Sequence, residues 1–187
     1  VSRRHIFASA EGSLRRLATD HIDVYLAHRV DANTPLEETL EALNDLVRQG
    51  KVRYTGFSNW PAWLAAKATG LQERNVWAKF RAAELYYSLV GRDIEHELAP
   101  FTRDAGIGIM VWSPLAGGFL SGKYTREKPA GDGGRLTGFD FLPYDREKGY
   151  EVVDKLRAIG AAHGVSPAQI ALAWLLAQPI LERYTSI

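Results

Sequence analysis

Apolar runs of strand length alternate with amphipathic helical stretches along most of this chain, and that alternation constrains its fold more than any other feature. Ile22-Asp-Val-Tyr-Leu-Ala27 is a short apolar run that ends at His28. After a polar loop, Thr34-Pro35-Leu36-Glu37 reads as a helix start: a threonine N-cap, a proline in the first turn and a capping-box glutamate. Leu36, Leu40, Leu43 and Val47 then share one helical face, and Gly50 supplies a stop. Val52–Phe57 is the next strand, ending at Ser58-Asn59, and an alanine-rich helix runs from Pro61 to about Thr69.

The rhythm continues to the end. Phe80–Leu89 reads as a strand, with Glu84 and Tyr86 or Tyr87 near its end. Asp93 caps a helix through about Asp104, Gly106 closes it, and the strand 107–111 follows. Residues 125–145, dense in Gly, Pro and Lys, read as a long mobile loop. Glu147–His163 is a helix, and Ser166-Pro167-Ala168-Gln169 opens another, to about Ala177, with a capping box. Arg183–Ile187 has the character of a further strand start.

Strands separated by whole helices run parallel, and parallel sheets need helices on their faces. The choice lies between a doubly wound sheet and a (β/α)8 barrel. No G-x-G-x-x-G follows the first strand, which counts against the former. The chemically interesting residues, His28, Ser58-Asn59, Glu84 and Trp112-Ser113, all sit where a strand ends, as a barrel's catalytic mouth requires. A complete barrel needs about 250 residues, whereas this chain has 187, with four clear strands and one partial. A single partial barrel domain over residues 1–187 is therefore expected.

Val111 to Tyr124 carries the most chemical information. It is a strand end that turns at once into a glycine-rich loop, where the main chain can approach an anion closely. Lys123 adds a positive charge, and Trp112 offers a flat face for a heteroaromatic ring. Spacing alone leaves two readings open, a dinucleotide socket and an ordinary βα loop with a solvated lysine. The net charge of +1 gives no electrostatic case for nucleic acid or acidic lipid. No apolar run approaches the ~20 residues that span a bilayer. With no cysteine there is no thiolate nucleophile, and the five histidines show no H-x-H or H-x-x-x-H metal pair. A cytoplasmic protein without a membrane or nucleic-acid partner is expected.

Three stretches together, Ser13–His28, Gly50–Asn59 and Trp112–Gly118, resemble the aldo-keto reductases, in the right order and spacing over nearly the whole chain. The resemblance implies a (β/α)8 TIM barrel, here partial, covering about strands four to eight with the first three missing. It implies hydride transfer from NADPH to an aldehyde or ketone. His28 matches the catalytic histidine that donates to the carbonyl oxygen, although an isolated histidine at a strand end is more often an ordinary core or loop residue. Ser58 and Asn59 match the pair that holds the nicotinamide carboxamide, a role compatible with capping the next helix. Trp112 matches the ring that stacks on the nicotinamide, its alternative being barrel core. Ser113, Pro114, Leu115, Gly117 and Lys123 match the loop around the pyrophosphate.

Two departures shape the expectation. Glu84 stands where the family usually has glutamine, so a carboxylate replaces an amide beside the nicotinamide. It accepts from the carboxamide NH2, cannot donate to its oxygen, and favours the cationic oxidised ring. Altered cofactor preference or weaker binding follows. The family's tyrosine acid, lysine and aspartate have no counterpart here; Tyr25, Tyr86 and Tyr87 lack their motif context. General acid catalysis is typically worth about 10²–10⁴-fold, so NADP(H)-dependent carbonyl reduction is expected of a longer parent, with this chain alone catalytically deficient. The alternative is a non-catalytic nucleotide-binding or interaction module on the same fold. Open barrel edges offer a route to self-association. Of the loop cations, Arg126, Lys128 and Arg135 are candidates for a cofactor phosphate, with solvated charge the plainer reading.

Overall fold

A computed structural model describes residues 2–129, 136 and 142–181. They divide into two units, Val1–Leu85 with His96–Met110, and Tyr86–Glu95 with Val111–Ile187. Four strands, β1 (Ile22–Ala27), β2 (Val52–Ser58), β3 (Phe80–Tyr86) and β4 (Gly108–Trp112), form one sheet in the order β1-β2-β3-β4. The β1–β2 and β2–β3 pairs are parallel, as strands joined through helices must be. The fold is α/β with a parallel four-stranded sheet.

In the first unit, helices α1 (Arg3–Leu17), α2 (Leu36–Arg48), α3 (Ala62–Arg74) and α4 (Leu98–Ala105) accompany the strands. Helix α1 has no counterpart in the expectation above, although Ile6, Ala10 and Leu14, its three buried residues, repeat at the i, i+4 spacing of one helical face. Of the expected face of helix α2, Leu40 and Leu43 are at 1% exposure while Leu36 and Val47 are half-buried, and Leu46 is fully buried beside them. The start of the helix differs. Thr34 donates its hydroxyl to Asp31 Oδ2 at 2.7 Å instead of capping the helix, and Asn33 N donates to Asp31 Oδ1 at 2.9 Å. The N-cap is Pro35, with no side-chain cap bond. A local Asx turn has taken the hydroxyl that a capping box needed.

Two buried amides set the entry to β3. Gln72 donates Nε2 to Ala78 O at 2.9 Å and accepts from Phe80 N at 3.2 Å, while Asn44 Oδ1 accepts from Ala78 N at 3.0 Å. Phe57, Trp60 and Phe80 then pack with ring centroids 5.5–5.7 Å apart. A register shift between Thr55 and Gly56 lets β2 and β3 approach closely at Gly56, where a Cβ would sit 2.1 Å from Ala82 O. These contacts put the end of β2 beside the end of β3. Helix α3 runs past the expected Thr69 to Arg74, and β3 ends at Tyr86, short of Leu89. Asp93 starts a three-residue 3-10 turn; the helix proper begins at Leu98 and is closed by Gly106 in the left-handed region.

The second unit is built on aromatic packing around a 3-10 segment, Ala116–Ser121. Phe119 is fully buried, with Tyr124, Tyr144 and Tyr150 rings at 6.3, 5.1 and 5.1 Å. Helices α5 (Arg146–His163) and α6 (Pro167–Leu176) cover it, contributing Val153, Leu156 and Ala171. Gly149 makes room for Phe119, since a Cβ there would lie 2.7 Å from its ring. Helix α5 is capped by Asp145, and α6 carries the expected Ser166–Gln169 capping box. Residues 183–187, Arg135 and much of the 125–145 stretch lie outside the described residues. Among the described residues no single helix is long and apolar enough to cross a membrane.

Candidate functional site

Strand ends in the first unit carry four of the anticipated residues. His28 is the first residue beyond β1 and is exposed. It lines a cavity of about 300 Å³ together with His5, Ser9 and Tyr25. Burial raises the Tyr25 phenol above the usual tyrosine range, with a hydrogen bond to Ser9 opposing the shift.

Ser58 and Glu84 are aligned by the parallel register itself, as direct partners across β2 and β3. Ser58 is buried and donates its hydroxyl to Glu84 Oε2 at 3.1 Å. Asn59 donates Nδ2 to Ser58 Oγ at 3.1 Å, and its main-chain N–H donates to Glu84 O at 3.1 Å. Its φ of 50° places it in the left-handed region, which asparagine tolerates better than most residues. The chain thus turns sharply between Ser58 and Trp60, and three anticipated residues form one hydrogen-bonded group. Ser58 does not cap α3, whose N-cap is Pro61 without a side-chain bond.

The second unit holds the rest. Trp112 ends β4, and its ring lies 5.2 Å from that of Tyr86 at an interplanar angle of 42°. The loop that follows is shaped by backbone: Ser113, Ala116, Gly117, Gly118 and Gly122 all have positive φ, from 48° to 95°. Leu115 O accepts from Gly118 N at 2.9 Å and from Leu120 N at 3.1 Å, while Ser113 O accepts from Ala116 N at 2.8 Å. Pro114 lies between them and has no N–H to place. Ser121 donates to Gly118 O at 2.7 Å and Arg157 to Gly122 O at 2.6 Å. These bonds fix the course of the loop and engage the N–H groups of Ala116, Gly118 and Leu120 as well as the carbonyls. Lys123 is exposed, 5.2 Å from the Tyr124 ring, and a Cβ on Gly118 would lie 3.2 Å from its Nζ. Arg126 is committed elsewhere, pairing with Glu147 at 3.2 Å and Asp154 at 3.4 Å over the Tyr150 ring.

Two residues go beyond the anticipated set. Tyr86, two positions after Glu84 on the same face of β3, is the ring partner of Trp112, and the strand period of two marks it in the sequence. Gln72 fixes β3 from a helix, through main-chain contacts that have no sequence signature.

The whole of residues 1–186 matches the aldo/keto reductase family. The versiconal hemiacetal acetate reductase of Aspergillus parasiticus is 36% identical over 181 residues, 96% of this chain and 52% of that protein. The uncharacterized oxidoreductase YrpG of Bacillus subtilis is 38% identical over 179 residues, again 96% and 52%. The aldo-keto reductase AFTS1 of Alternaria alternata is 36% identical over 175 residues, 94% and 47%. The chain spans about half the length of the curated relatives it matches. It belongs to the aldo/keto reductase family.

Proposed function

We propose that the chain supplies strands four to eight of a (β/α)8 reductase barrel, which reduces an aldehyde or ketone to an alcohol with NADPH. The Asn59–Ser58–Glu84 group carries the reading. A hydroxyl, a side-chain amide and a carboxylate held together at the ends of parallel strands offer the kinds of donor and acceptor that a carboxamide needs. In the other unit, the left-handed loop and the exposed Lys123 suit a pyrophosphate. Taken separately, the residues of each group fit the part of the cofactor assigned to them.

When bound, the cofactor supplies hydride. His28 orients the carbonyl and donates a hydrogen bond to its oxygen as negative charge develops there. Trp112 offers an indole face that fixes the orientation of a stacked ring. The fit of Ser58 is the weakest part, because its one hydrogen is already given to Glu84. That observation favours a second reading, a nucleotide-binding module without turnover.

Titration with NADPH, followed by quenching of tryptophan emission, tests the cofactor reading. Saturable quenching that is lost in Trp112→Ala supports it. Saturation without turnover of a broad aldehyde panel favours the second reading. Absence of saturable quenching rejects a cofactor site in this chain.

A further inference from the structure

We infer that Glu84 sets the redox preference of the nicotinamide site, holding NADP+ more tightly than NADPH. This rests on the cofactor reading above. The Glu84 carboxylate sits half-buried at the end of β3. Its hydrogen-bond donor is the neutral Ser58 hydroxyl, and among the described residues no lysine or arginine pairs with it. A negative charge in such a place has no countercharge of its own.

The hydrogen bonds fix both the position of that charge and what surrounds it. Asn59 Nδ2 bonds to Ser58 Oγ, and the single hydroxyl hydrogen of Ser58 points to Glu84. The carboxylate is thereby held by Ser58, while the Asn59 N–H fixes the main-chain oxygen of Glu84. Its remaining lone pairs accept only. They suit the NH2 of a carboxamide, which both redox states of the cofactor carry, and so do not distinguish them.

Charge distinguishes them. The oxidised nicotinamide ring is cationic and the reduced ring is neutral, so the carboxylate attracts the first and offers the second nothing. At a partly hydrated site, such a charge–charge attraction is worth about tenfold or more in affinity. A reductase built this way releases its oxidised cofactor slowly and is inhibited by it.

The test is calorimetric titration of the chain with NADP+ and with NADPH, for wild type, Glu84→Gln and Glu84→Asp. The glutamine amide keeps the length of the side chain and its acceptor for Ser58 but removes the charge. The expected result is a wild-type preference for NADP+ of about tenfold, abolished in Glu84→Gln mainly through weaker NADP+ binding. Glu84→Asp, which keeps the charge, retains most of the preference and guards against a merely structural effect of substitution. Equal affinities in wild type, or a preference untouched by Glu84→Gln, overturns the inference while leaving the cofactor reading standing. Failure of wild type to bind either nucleotide overturns both.

Discussion

The turn after β2 and the loop after β4 reach comparable ends by opposite means. Ser58, Asn59 and Glu84 are positioned by side-chain hydrogen bonds laid across a parallel register. The loop from Ser113 to Gly122 is positioned by its backbone, through five residues of positive φ and an aromatic core centred on Phe119. On the proposed reading, binding in the first case hangs on the identity of side chains, while the fold hangs on the strands beneath them. In the second, fold and proposed binding depend on the same glycines. The two regions should therefore respond differently to substitution, and the contrast is sharpest where a single methyl group is added.

The largest effect is expected at Gly56. A Cβ there meets Ala82 O at 2.1 Å and Leu26 Cδ2 at 2.7 Å. The first obstacle is backbone in a neighbouring strand, which cannot swing away. Gly56→Ala should cost roughly 3 kcal/mol or more, in line with overpacking of a rigid site. Urea denaturation followed by far-UV circular dichroism measures it. A cost under about 1 kcal/mol would mean that the bulge between Thr55 and Gly56 absorbs the methyl, and that strand approach does not fix the Ser58–Glu84 register.

Gly117→Ala tests the other side. The residue has φ 67°, and a Cβ would lie 2.8 Å from Leu136 Cδ2. That obstacle is the end of a flexible side chain, so the main penalty is the left-handed backbone, roughly 1–2 kcal/mol. Thermal melting should show the smaller loss, and NADPH quenching should weaken along with it. A loop that loses stability but binds NADPH as wild type would break the claim that its backbone serves both ends.

The two regions also differ in how legible they were. The strand ends stand out in sequence because β1, β2 and β4 are apolar runs bounded by polar turns, and a period of two puts Glu84 and Tyr86 on one face. His28, Ser58, Asn59, Trp112 and Lys123 were reachable from these ends and from family resemblance. The hydrogen bond from Ser58 to Glu84 was not, because it depends on register, which Gln72, Asn44 and the bulge at Gly56 determine through main-chain contacts. Thr34 misled for a similar reason: a capping box and an Asx turn use the same residue types, and Asp31 three positions earlier won the hydroxyl. Helix α1 lacks an acidic first turn and is rich in arginine, so its short apolar face at Ile6, Ala10 and Leu14 was its chief signal.

Alkaline pH gives the finest comparison. Tyr87, fully buried in the second unit, donates to Glu95 Oε1 at 2.6 Å, and Arg92 holds the same carboxylate at 2.8 and 2.9 Å. Burial first, and then the Glu95 carboxylate, push the Tyr87 phenol well above the usual tyrosine range. Tyr25 in the first unit is raised by burial, but its hydrogen bond to Ser9 works against the shift. A group whose folded pKa is raised stabilises the fold below its unfolded pKa and loses that contribution as pH rises beyond it. Both tyrosines should therefore cost stability above about pH 10, and Tyr87 should cost more than Tyr25. At neutral pH, Tyr87→Phe should cost only about 1 kcal/mol, because Arg92 still satisfies Glu95. Between pH 10 and 11 wild type should lose up to about 1.4 kcal/mol at this site, so the two proteins should converge in urea midpoint. Parallel pH profiles for wild type and Tyr87→Phe would show that the phenol opens to solvent before it ionises. Alkaline sensitivity would then belong to the other phenols that burial raises, Tyr25 and Tyr86.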